Sequence, residues 1–175
     1  QNPEEMIYSF IISQNNNIPR IKGIIERICR ELGQERTFMG GKYYTFPTSS
    51  ALASRPQEFY RALGAGYRDA YLTQTSARIA AEGIERLYAL PSPALKKELC
   101  GYTGIGPKVA DCISLFGFGR RECFPVDTWI EKLYHEDFGG TLKDRKKINE
   151  YFCGLFGEDA GYIQQYLFYA KREKM

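Results

Sequence analysis

The sequence predicts an all-α fold. Apolar residues recur at helical spacing along most of the chain. Asn, Pro and Gly punctuate those stretches where helices start and stop, and only residues 33–46 lose the helical period. The 175 residues suffice for one domain or two small helical lobes. A hydrophobic content of 43% with 14% aromatics argues for a packed protein over a disordered one.

Pro3–Ser13 opens as a helix, with Glu4 and Glu5 in its first turn and Met6, Ile7, Phe10 and Ile11 on one face. It stops at Gln14-Asn15-Asn16-Asn17, because Asn favours turns and caps over helix interiors. Taken alone, residues 15–17 read as a polar linker. Asn17 caps a second helix with Pro19 near its first turn and Ile18, Ile21, Ile25, Ile28 and Leu32 as its stripe. In 33–46, Gly40-Gly41 between Phe38 and Tyr43-Tyr44-Thr45-Phe46 suggests a loop or a weak hairpin. Short helices follow at 48–54 and 56–63. A longer one at 67–82 carries Ala70, Tyr71, Ala77 and Ala81, after a glycine-rich turn at 63–68. Residues 84–89 form a further short helix that Pro91-Ser92-Pro93 ends, and 94–100 form another before Gly101.

The next helix starts only after Gly106, since Pro107 is pre-organised for a first helical position, and it runs to Gly117. Residues 127–137 pack Ile130, Leu133 and Tyr134. Residues 143–156 bury Ile148, Phe152 and Leu155 and turn Lys143, Arg145, Lys146 and Lys147 outward as a solvated face. A last helix at 159–173 puts Gln164 and Phe168 on one face, four residues apart. The first helix is too short to fold alone and is expected to pack against the C-terminal helices. That divides the chain into a helical domain at 15–140 and a second lobe made of 1–14 with 141–175.

Residues 104–111 are the most informative stretch. Gly104 and Gly106 permit positive φ and close backbone approach. The helix that follows offers its first N–H groups outward as an anion site. Lys108 lies in that first turn, where the helix dipole disfavours a cation. A stabilising helix would place Asp or Glu there, whereas a lysine suits a nucleophilic amine. Further on, Pro125-Val126-Asp127 leads into another helix with Asp127 as a natural N-cap. The combination is more specific than either residue.

Charge and cysteines exclude other classes. With 24 Lys+Arg against 21 Asp+Glu, the net +3 permits nucleic-acid binding without arguing for it. Five scattered cysteines with no C-x-x-C pair suggest neither a disulfide framework nor a zinc site, and point to reduced thiols inside a cell. One histidine cannot anchor a metal site by itself. No apolar run reaches membrane-spanning length and no signal peptide is visible. The start at Gln1-Asn2-Pro3, without an initiator Met, suggests a fragment with an upstream domain absent.

Leu99…Gly104-Ile105-Gly106-Pro107-Lys108-Val109-Ala110 followed by Pro125-Val126-Asp127 resembles the helix-hairpin-helix motif and catalytic aspartate of the helix-hairpin-helix DNA glycosylases. The iron–sulfur branches of that superfamily carry four cysteines near the C-terminus, where this chain has only Cys153. The monofunctional alkylbase branch lacks the lysine. The 8-oxoguanine DNA glycosylases are closer over nearly the whole chain, through Ser9-Phe10-Ile11, Asn15-Asn16-Asn17-Ile18, Arg20-Ile21, Gly64 to Arg68, Lys108-Val109-Ala110-Asp111-Cys112 and Leu167-Phe168.

The resemblance implies a two-lobed fold with the active site in the cleft between lobes. It implies base excision repair of DNA by a bifunctional glycosylase and abasic-site lyase that excises 8-oxoguanine opposite cytosine. Lys108 would attack C1′ of a flipped nucleotide and Asp127 would stabilise charge on the sugar. Cys112 and Phe168 would sandwich the base and Gln164 would bond its edge. Tyr67 would wedge into the duplex while Asn15, Arg20 and Arg68 hold the orphaned cytosine. Backbone at Gly104, Gly106, Lys108 and Val109 would hold phosphate without reading sequence. No iron–sulfur cluster or metal is expected, a structural cation at the hairpin being left open. The expected partner is duplex DNA containing oxidised guanine, for a monomer away from membranes.

Three departures stand out. The family's N-terminal β-rich domain has no counterpart in these residues. Trp129 replaces a phosphate-binding histidine of eukaryotic members, and Lys171 replaces an acidic residue near the pocket. The alternatives are a glycosylase for another oxidised base and a non-catalytic helix-hairpin-helix DNA-binding module.

Overall fold

The computed structural model describes residues 1–173, and its elements follow the punctuation of the sequence. The Asn2 side chain accepts from the Glu5 amide at 3.1 Å to cap α1 (Pro3–Ser13). Asn17 does the same for the Arg20 amide at 3.0 Å, capping α2 (Ile18–Leu32). Each helix takes Pro in its first turn, where no ladder hydrogen bond is lost.

The stretch at 33–46 holds a hairpin. β1 (Glu35–Phe38) pairs antiparallel with β2 (Gly41–Tyr44), Phe38 opposite Gly41. Met39 at φ 48° and Gly40 at φ 77° form its two-residue turn, both left-handed as a type I′ turn demands. This two-stranded sheet is the only one among the described residues, and the all-α class stands.

α3 (Ser49–Ala53), α4 (Gln57–Ala62), α5 (Arg68–Glu82), α6 (Glu85–Tyr88) and α7 (Ser92–Leu99) follow. α7 begins at Ser92, because Pro93 lies within its first turn instead of ahead of it. α5 turns Leu72, Thr75, Ser76 and Ile79 inward, not its alanines. The Thr75 and Ser76 hydroxyls donate to the carbonyls of Thr103 and Thr73, which makes their burial affordable. α8 (Pro107–Phe116), α9 (Thr128–Glu136), α10 (Arg145–Phe156), a 3₁₀ turn at Gly157–Asp159 and α11 (Ala160–Glu173) complete the chain.

The buried apolar residues form two clusters. The first draws on α1, α2, α3, α4, α5, α6, α7 and α8, from Ile7 to Ile113. The second holds Phe124, Val126, Ile130, Leu133, Tyr134, Ile148, Phe152 and Ala160, from α9 to α11 and the segment before α9. α1 belongs to the first cluster. Its Ile7, Tyr8, Ile11 and Ile12 are buried against α8, α2 and α5, and Phe10 stacks on Phe116 at 5.5 Å. Grouping 1–14 with 141–175 therefore misplaces α1, whose apolar face is covered by the hairpin's own helix. In α10, Phe156 stacks on Phe152 at 5.8 Å and takes the inner place expected of Leu155, which is 51% exposed.

Candidate active site

The hairpin joins α7 to α8. Gly104 adopts φ 82°, and a Cβ there would stand 2.4 Å from the Tyr71 ring, so glycine is required by backbone and by space together. Gly106 differs from the sequence reading. Its φ of −88° is open to any residue, and a Cβ there would meet nothing within 4 Å. It caps α8 without a side-chain hydrogen bond, which leaves first-turn amides such as those of Lys108 and Val109 outside the helix ladder. Gln14, at the end of α1, donates through Nε2 to the Gly104 carbonyl at 2.7 Å and ties the hairpin to the first helix.

Lys108 is half-buried, with Nζ 5.9 Å from the centroid of the Phe10 ring. One turn on, Cys112 is buried, and that burial pushes its thiol up to about 11. Lys108 opposes the shift by its charge and a hydrogen bond, while the carboxylates of Asp111 and Asp127 add to it. Lys108 and Asp127 thus act on one thiol, although they sit on different apolar clusters. Asp127 caps α9, its Oδ1 accepting from the amides of Trp129 at 3.0 Å and Ile130 at 2.9 Å. The second carboxylate oxygen stands outside that cap.

The segment that delivers Asp127 is buried from Cys123 to Val126. Gln164 on α11, 3% exposed, donates through Nε2 to the Pro125 carbonyl at 3.1 Å. It braces that segment in addition to the edge-reading role expected of it. Phe168, a turn further along the same face, is half-buried against the second cluster.

The second group of candidates gathers where α1 meets α2. Asn15 is exposed at φ 45°, a left-handed conformation Asn tolerates better than most residues. Arg20 is exposed and donates to the Gly64 carbonyl at 3.0 Å. Tyr67 is 52% exposed, packed edge-on to Tyr71 at 5.8 Å. Arg68 requires a correction: it is 1% exposed. Its guanidinium donates to the carbonyls of Gln14, Asn15 (2.9 Å) and Ala65 (3.1 Å) and lies over the Tyr67 ring at 4.4 Å. A planar fork with five donors can satisfy several carbonyls at once. Here it clamps the 14–15 turn to the glycine loop and is not presented outward as a base contact would be.

Sequence reasoning gave no role to Gln14, Asp111, Arg27 or Asn149. Asp111 on α8 is buried and pairs with Lys96 at 2.8 Å. Arg27 donates to the Leu63 carbonyl at 3.0 Å, one residue from the Arg20 contact. No spacing rule signals such contacts, since their partners lie far off in sequence. Two surface hollows, of about 430 and 650 Å³, lie beside α3 and between α2 and β2 and share no residue with the site. Among the described residues no group of three or more His, Cys, Asp or Glu is assembled to hold a metal, and no helix is long and apolar enough to cross a membrane.

A glycine hairpin feeding a lysine into a helix start, followed by an aspartate that caps the next long helix, is the pattern of a helix-hairpin-helix DNA glycosylase. The chain belongs to the HhH-GPD superfamily of base excision DNA repair proteins, which matches residues 8–157. It is 36% identical over 189 residues to the probable N-glycosylase/DNA lyase of Methanothermobacter thermautotrophicus, covering 96% of this chain and 60% of that protein. It is 34% identical over 185 residues to the N-glycosylase/DNA lyase OGG1 of Arabidopsis thaliana, covering 98% of this chain and 50% of the relative. The crystal structure of the Clostridium acetobutylicum 8-oxoguanine glycosylase/lyase, in complex with duplex DNA containing cytosine opposite 8-oxoguanine, superposes with a TM-score of 0.94. Its sequence is 38% identical, over 99% of this chain and 61% of that one. The chain spans between half and three fifths of the length of these relatives.

Proposed function

We propose that the chain carries the catalytic centre of a bifunctional DNA N-glycosylase and abasic-site lyase that removes 8-oxoguanine opposite cytosine during base excision repair. The observation that carries this reading is the placement of Lys108 in the first turn of the hairpin helix α8 and of Asp127 at the cap of α9, in a chain of this superfamily.

A base in a duplex is out of reach, so the nucleotide must leave the stack at a cost of a few kcal/mol. The uncapped start of α8 holds the backbone through its amides. The unprotonated Lys108 amine attacks C1′ and the glycosidic bond breaks, the base leaving with its electron pair and taking up a proton. Ring opening gives a Schiff base between Lys108 and C1′. Loss of a C2′ proton then expels the 3′ phosphate by β-elimination. The oxygen of Asp127 that is not capping α9 faces the positive charge on the sugar and accepts the proton the amine gives up. Cys112 and Phe168 form the two sides of the base pocket, and Gln164 bonds the base through amide positions left over from Pro125. Tyr67 enters the gap, and Asn15 and Arg20 hold the orphaned cytosine. Arg68 supports them from behind. The reading takes the protein as a monomer that meets duplex DNA inside the cell.

The test is borohydride trapping on a duplex with one 8-oxoguanine opposite cytosine and on an abasic duplex, with Lys108→Gln in parallel. A Lys108-dependent covalent adduct on both duplexes is expected. An adduct on the abasic duplex alone would restrict the chain to the lyase step. No adduct on either would leave a DNA-binding module and overturn the catalytic reading.

A further inference from the structure

Lys108 and Asp127 must stand at a fixed separation for one to attack while the other takes charge, yet no regular element joins them. Residues 117–127 run from α8 to α9 without helix or strand. The separation is therefore set by contacts that cross between the two clusters, and one buried group stands at that crossing. Asp111 lies on α8 one turn after Lys108 and is 4% exposed. Its Oδ2 accepts from Lys96 of α7 at 2.8 Å and from Asn149 Nδ2 of α10 at 3.3 Å. The same Asn149 nitrogen donates to the Phe124 carbonyl at 2.5 Å, three residues before Asp127. An amide NH₂ has two hydrogens and can serve both acceptors.

We propose that Asp111 and Asn149 are positioning residues that set the distance between Lys108 and Asp127. The proposal rests on the catalytic reading above. The path runs from Lys108 along one turn of α8 to Asp111, across to Asn149, onto Phe124, and along an extended segment to Asp127. Around it the backbones come close: Gly161 of α11 donates its amide to the Arg121 carbonyl at 2.6 Å, and a Cβ on Gly161 would meet the Cys123 carbonyl oxygen at 2.6 Å. That packing supplies proximity, and the directional bonds supply registry. A buried carboxylate with one ammonium partner is a poor device for stability, since apolar residues of the same volume often serve as well or better. What it supplies is a single geometry.

Asn149→Leu removes the bridging N–H groups at nearly constant volume, and Asp111→Asn removes the charge at constant shape. Both are compared with the parent by single-turnover borohydride trapping on the abasic duplex. Affinity is measured for a duplex holding the unreactive tetrahydrofuran abasic analogue, and unfolding midpoints control for folding. A misplacement of about 1 Å costs roughly 10²-fold in rate, and a loss of that order is expected for Asn149→Leu. Affinity for the tetrahydrofuran duplex should stay within about twofold. Asn149→Gln, which keeps the amide, should recover part of the rate. Trp129 is the single tryptophan and its amide binds Asp127, so its emission reports on the start of α9 without any reaction. It should shift in Asn149→Leu.

Rate and emission unchanged, or rate, affinity and unfolding midpoint falling in proportion, would overturn the proposal. A parent chain that forms no adduct would instead overturn the catalytic reading, and Trp129 emission alone would then decide the positioning role.

Discussion

The cluster that carries Lys108 is built mainly from isoleucine and leucine spread over many short helices, whereas the cluster that carries Asp127 is built around stacked rings. In the first, the burial of Ile7, Ile11, Ile12, Ile24, Ile28, Leu52, Leu72, Leu87, Leu95 and Leu99 is shared, and no one side chain is its centre. In the second, Phe152 lies face to face with Phe124 at 4.6 Å and with Phe156 at 5.8 Å, and edge to face with Tyr134, Phe138 and Tyr151. Aliphatic side chains fill space and leave little preferred orientation. Aromatic pairs prefer particular angles and bury more area each. The two candidate residues thus rest on foundations of different kinds, one distributed and one concentrated on a single residue.

The most severe way to break this contrast is Phe152→Ala, which should remove about 3–5 kcal/mol of stability, against about 1 kcal/mol for Ile11→Val in the other cluster. Urea unfolding followed by Trp129 emission and by circular dichroism tests the concentration directly. In Phe152→Ala the emission midpoint should fall further than the helical midpoint, because Trp129 reports from the aromatic half.

Next in size is a pair of changes at Asp127. Asparagine caps a helix as well as aspartate does, and alanine costs about 1 kcal/mol at an N-cap. Asp127→Asn should therefore keep the unfolding midpoint while the trapping rate falls by about 10²–10⁴, the usual worth of a positioned acid–base group. Asp127→Ala should lose both. Equal midpoints for the two variants would remove the capping role.

The smallest expected effect concerns the seam. Burial raises the Asp111 carboxyl to about 6, against the lowering influence of Lys96. The unfolded carboxyl titrates near 4, so the folded protein holds this proton more tightly. The group accordingly favours folding most below about pH 4, and that contribution is withdrawn as the pH climbs through about 6. Urea titrations of the parent and Asp111→Asn from pH 4 to pH 7 should show the difference between them moving against the parent as the pH rises. Carboxylates held below their usual range by arginine, such as Glu82 and Glu98, slope the other way in both proteins and cancel in the comparison.

Helix ends were legible because their chemistry is local: Asn17 and Asp127 each bond an amide two or three residues on. The positions of Lys108, in the first turn of α8, and of Asp127, at the cap of α9, follow from local rules of helix initiation. The partner of α1 was not legible, since an amphipathic face says that it will be covered and not by what. The inner face of α5 was hidden behind the hydroxyls of Thr75 and Ser76, which are polar in a list and satisfied in the fold. Arg68 misled for the reverse reason. An arginine beside an exposed tyrosine reads as a surface cation until the carbonyls of Gln14 and Asn15 are brought to it from more than fifty positions away. The Asn149 bridge could not have been found by any pattern, because its two acceptors come from different parts of the chain.

Gln14 receives Arg68 on its main-chain oxygen and gives its side-chain amide to Gly104. In mechanical terms it is a pin shared by two arms, the loop that carries Tyr67 and the turn that introduces Lys108. A pinned pair has fewer independent motions than two free loops, so strain applied at one arm is felt at the other within a single residue. The glycine loop and the hairpin are thereby geared together, with no moving part between them.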